Sequence, residues 1–100
     1  MGFEVAAMNV RRLVLDVDKA IARPSIVEIA TAIDAVANVE AVNITVTEID
    51  VETVGMEVTI EGNGLDYDAI AKAIANSGAV VHSIDELVTG HIIERVPRRR

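Results

Sequence analysis

Apolar and polar residues alternate along four stretches of this chain. In residues 10–18, VRRLVLDVD, Leu13, Leu15 and Val17 interleave with Arg12, Val14, Asp16 and Asp18. A period of two marks a strand, because successive side chains leave opposite faces. Residues 39–50 set Val42, Ile44 and Val46 against Asn43, Thr45 and Thr47. The β-branched residues there suit a pleated surface. Residues 54–61 set Val54, Met56, Val58 and Ile60 against Gly55, Glu57, Thr59 and Glu61, and residues 79–88 carry Val80, Val81, Ile84, Leu87 and Val88.

Between these stretches the period changes to that of a helix. Pro24 and Ser25 open the first helix, and Ser25-Ile26-Val27-Glu28 has the form of a capping box. In that motif Ser and Glu satisfy amides the first turn leaves open. Ile26, Ile29, Ala30 and Ile33 keep one side, and the spacing predicts an end near Asn38. Asp66 caps a second helix, with Asp68 in its first turn, Ile70 and Ile74 inward, and Gly78 as a left-handed stop. Residues 50–53 make a hairpin the economical link between the second and third strands.

The order is β-α-β-β-α-β. Right-handed crossovers then give an α+β, ferredoxin-like two-layer sandwich, with antiparallel sheet order 4-1-3-2 and both helices on one face. The predicted domain covers residues 9–90. An N-terminal extension (1–8) precedes it, and a tail (91–100) follows, basic at its end, whose His91-Ile92-Ile93 suggests a short edge strand.

Composition narrows the function. The 100 residues carry a net charge of −7 and no cysteine, and only Phe3 and Tyr67 are aromatic. An acidic surface repels backbone phosphates, so no nucleic-acid partner is expected. The central strands also lack the aromatics on which an RNA-recognition domain stacks bases. Missing cysteines exclude disulfides, thiolate metal sites and thiol nucleophiles. No apolar run is long enough to span a membrane and no export signal stands at the start, so the cytoplasm is the expected compartment. An acylphosphatase-like phosphate cradle would need a glycine in residues 19–24, and none is there.

The sheet face without helices is the informative one. With Leu13, Leu15 and Val17 turned toward the helices, Arg12, Val14, Asp16 and Asp18 turn away. A register setting Asp16 opposite His82 would place Val14 by Ile84 and Arg12 by Glu86, pairing like with like and opposite charges. Mixed aliphatic and charged faces suit subunit contacts, so a homo-oligomer is expected, as face-to-face dimers or as a ring through strand edges. Asp16, Asp18, Glu48 and Asp50 end near one rim of the sheet. Calcium or another divalent cation takes such oxygens, and His82 would join for a transition metal. Asp16, Glu48, Asp50 and His82 are the metal candidates; no catalytic residue is named. The primary reading is a non-catalytic oligomeric binding or regulatory module for a metal ion or small ligand. The alternative is a small enzyme whose site, built on His82 with Asp16, is completed at a subunit interface.

Four strings, RRLVLDV (11–17), PSIVEIA (24–30), VNITVTEID (42–50) and VVHSIDELV (80–88), resemble an uncharacterised archaeal family, domain of unknown function 211. The resemblance covers residues 9–90 and leaves the arginine tail outside. It implies the ferredoxin-like fold and ring-like self-assembly, and it carries no established activity and no catalytic residues.

Overall fold

A computed structural model describes residues 8–91. The elements run β1 (Val10–Ala20), α1 (Ile26–Asp34), β2 (Val39–Ile49), β3 (Thr53–Gly62), α2 (Tyr67–Ser77) and β4 (Val80–Thr89). The sheet order is β2-β3-β1-β4, the expected order read from its other edge, and every neighbouring pair is antiparallel. The predicted extension falls outside the described residues except for Met8. Most of the predicted tail also falls outside them, including Ile92 and Ile93 of the suggested edge strand.

Both helices begin where their caps require. Ser25 Oγ accepts from the Glu28 amide at 3.1 Å while the Glu28 carboxylate accepts from the Ser25 amide at 2.8 Å, closing the capping box. Asp66 accepts from the Ala69 amide, and Gly78 ends α2 at φ 106°. The first helix is shorter than its periodicity predicted. It stops at Asp34 with Ala35 as cap, and Asn38 turns the chain at φ 73°, a left-handed geometry that Asn tolerates. Val36 still packs against the core, from a turn and not from the helix.

The core lies between the helices and one face of the sheet. Leu13, Leu15 and Val17 of β1 and Met56, Val58 and Ile60 of β3 meet Ile29 and Ile33 of α1 and Ile70 and Ile74 of α2. All are aliphatic, so packing here rests on shape and dispersion with no polar contact to satisfy. β1 and β3 are the central strands, and their outward residues therefore form the middle of the open face.

Candidate functional site

Residues directly opposed in an antiparallel pair share a face. From β1 the open face takes Arg12, Val14, Asp16 and Asp18, opposed on β3 by Glu61, Thr59, Glu57 and Gly55. On β2, Asn43, Thr45 and Glu48 stand opposite Thr59, Glu57 and Gly55. At one end Arg12 holds two carboxylates, Glu61 at 2.7 Å and Glu86 at 3.4 Å. The hydrogen bond that Arg12 donates to Glu61, outweighing partial desolvation, keeps the guanidinium pKa above its ordinary value. Val14 lies in the middle of this face yet is only 5% exposed, outside the main core cluster. It is a buried residue of the open face and not the surface contact expected of it.

The register between β1 and β4 departs from the expected one. Val17 faces Val81 and Asp18 faces Val80, as a regular ladder from Asp16–His82 requires. Further along, Asp16 faces Ser83, Val14 faces Glu86 and Arg12 faces Val88. The cause is a pair of bulges that leave His82 and Asp85 as extra residues in β4. Ile84 opposes Leu15 and belongs to the helix-bearing side, so it is not a companion of Val14. His82 pairs with Asp18, Nε2 to Oδ2 at 3.0 Å, and not with Asp16. The Arg12–Glu86 contact survives as a diagonal across the shifted register.

Gly55 completes this corner. Asp18 and Glu48 oppose it from β1 and β2. A Cβ on Gly55 would stand 3.5 Å from both Asp18 Oδ1 and Glu48 Cβ. Without a side chain at Gly55, Asp18 and Glu48 border bare β3 backbone, and His82 pairs with Asp18. Asp16 sits one step away between Glu57 and Ser83. The Asp50 carboxylate, just beyond the end of β2, accepts from the Val51 amide inside the hairpin. Among the described residues, no group of three or more His, Asp and Glu is arranged to hold a metal ion. Ser83 is no partner for His82, because its hydroxyl donates to Asp85 at 2.7 Å. Asp18 and Gly55 are the residues that sequence reasoning undervalued. A lone glycine in an alternating strand is the signal that points to such a close approach.

Other exposed features lie off this face. Val46 and Ile49 on β2, and Ile84 and Leu87 on β4, are large exposed aliphatics on the helix-bearing side of the two edge strands. A groove of about 700 Å³ separates the outer surfaces of the helices, lined by Arg23, Pro24, Val27, Thr31, Ala73 and Asn76 among others. It shares no residue with the corner at Gly55. Among the described residues no helix is long and apolar enough to cross a membrane.

The model of domain of unknown function 211, an uncharacterized ArCR family, matches residues 11–100. The chain belongs to that family. An uncharacterized protein of Methanocaldococcus jannaschii is 49% identical over 89 residues, covering 88% of this chain and 91% of the relative. The family's reach corrects the resemblance drawn from the strings alone, since it extends through the arginine tail. Those strings sit in strands and a helix start, where periodicity makes a likeness visible; the tail has no such period.

Proposed function

We propose that this member of the family is a non-catalytic binding or regulatory module that works as a homo-oligomer. The observation that carries the reading is the pair of matching sheet edges. Among the described residues β2 and β4 are the two edge strands, and they run in opposite directions. A second copy added in the same orientation therefore meets the first with β4 antiparallel to β2, the arrangement used throughout the sheet. Val46 and Ile49 then lie on the same side as Ile84 and Leu87 of the neighbour. Such head-to-tail contacts close into a ring when the rotation permits. The extra residues Glu40 and Thr47 in β2 and His82 and Asp85 in β4 interrupt the edge backbone, so side-chain burial supplies most of the contact.

The ligand assigned to this module is a divalent cation such as calcium, or a small cationic ligand, at the corner of Asp18, Glu48 and His82, with Asp16 beside it. This corner supplies too few groups alone, so a neighbouring copy or the ligand's own waters complete the shell. Native mass spectrometry with and without chelator tests both parts. A multimer that gains Ca²⁺ or Mn²⁺ mass steps and loses them in chelator is the expected result. A multimer without metal steps removes the cation, and a monomer at micromolar concentration removes the assembly.

A further inference from the structure

We propose that Glu48 of one copy pairs with His82 of the next, so that one direct contact fixes the register of each joint between copies. The inference rests on the assembly through β2 and β4 proposed above and names the groups that meet there.

The first ground is the row structure of the sheet. Residues opposed across β2, β3, β1 and β4 form rows that run the width of the sheet. On the helix-bearing side, Ile44 shares a row with Ile84, Val42 with Leu87 and Val46 with Val81. On the open face, Thr45 shares a row with Ser83 and Asn43 with Glu86. A second copy, in the same orientation and level with the first, continues every row across the joint. Aliphatic then meets aliphatic on one side, and on the other an amide donor meets the Glu86 carboxylate. A slip of one row would turn the aliphatics of one edge against the polar side of the other. A slip of four rows, carrying Glu48 toward the end of β4, would set it against Glu86, like charge against like.

The second ground is charge. Glu48 shares its row with Gly55 and Asp18, and Asp18 holds His82 at 3.0 Å. The imidazole therefore leans toward the row that Glu48 begins at the opposite edge. β2 carries Glu40 and Glu48 and no basic residue. β4 carries Asp85 and Glu86, with His82 as its one basic residue. Among the described residues, Glu48 makes no hydrogen bond or ion pair, and His82 uses Nε2 on Asp18 and leaves Nδ1 without a partner. A protonated imidazole donates from both nitrogens, so it serves two carboxylates at once. Two groups left unmatched at the opposite edges of one chain thus meet where a second copy joins.

Sedimentation of the full-length chain over a range of concentrations, in chelator, reads the contact. Glu48→Gln and His82→Gln each remove one side of the pair without adding charge beside Asp18. Each is expected to raise severalfold the concentration at which the multimer dissociates, and both together to raise it no further than one alone. His82→Glu sets like charges across the joint and should raise that concentration about tenfold or more; adding Glu48→Arg to the same chain should restore it. Additive losses from the two glutamine variants, or a His82→Glu defect that Glu48→Arg leaves in place, would overturn the pair and leave the assembly standing. Coupling that emerges only when Ca²⁺ replaces chelator means a bridging cation and would overturn the direct contact. A wild-type chain that stays monomeric overturns the assembly and the pair together.

Discussion

At the scale of single residues, Arg12 and Gly62 do the most with the least redundancy. Arg12 is a largely buried cation between carboxylates on the strands either side of β1, with 14% of its side chain exposed. Arg12→Met keeps the stem and deletes the charge. Expected is a loss of about 1 kcal/mol in urea unfolding, since the freed carboxylates stay within reach of water. The sign with pH follows from its raised pKa. A raised basic group stabilises below its ordinary pKa and loses that contribution only as pH climbs through the higher value. Arg12 protonation therefore adds no slope to stability near neutral pH. Gly62 is constrained differently. A Cβ there would overlap the Asn38 carbonyl oxygen and press on Leu65 Cδ2 at 2.7 Å. Gly62→Ala should cost about 2 kcal/mol or more, as overpacking against backbone does, and would be read by the same urea titration.

At the scale of elements, local signals set where helices begin and tertiary contacts set where strands pair. The first helix has nine residues, too few to be stable alone. Its reciprocal cap is correspondingly valuable. Ser25→Ala should lower stability by about 1 kcal/mol, shifting the thermal midpoint down by roughly 4–8 °C in a domain of this size. Serine and glutamate three apart before an apolar run made that cap legible in advance. The end of the helix was not, because Val36 keeps the apolar rhythm while already serving the core from a turn. In β4 the bulges at His82 and Asp85 moved the partner of His82 from Asp16 to Asp18 and took Ile84 off the open face.

At the scale of the whole molecule, two substitutions separate folding from assembly. Leu87 is 51% exposed at the β4 edge, and Val14 is almost fully buried in the open face. Leu87→Glu with Ile84→Glu should leave the thermal midpoint nearly unchanged and shift the native mass toward the monomer, since a charge enters each edge contact. Val14→Asp should instead lower the midpoint steeply, by the cost of a buried unpaired carboxylate, whatever the state of association. Melting curves and native mass spectra of the two variants together show whether the sheet edges or the open face joins the copies.

The sequence by itself determined the element order, the sheet order, the inward residues of the central strands, both helix starts and the family. Each of these follows from period, cap chemistry or local likeness, which are properties of neighbouring residues. It also led to the expectation that Asp16, Asp18, Glu48 and Asp50 end near one rim of the sheet, with His82 beside Asp16. Only the tertiary structure decided which of them meet. Whether His82 reaches Asp18 or Asp16 depends on how many residues β4 inserts against β1. That count is set by packing across strands some seventy residues apart in sequence, where no local pattern records it. Asp50 also bonds locally, its carboxylate accepting from the Val51 amide of its own hairpin. Val14 reads as an exposed aliphatic along the strand but is buried, opposite Thr59 of β3 and Glu86 of β4, a fact of sheet packing that alternation alone does not carry.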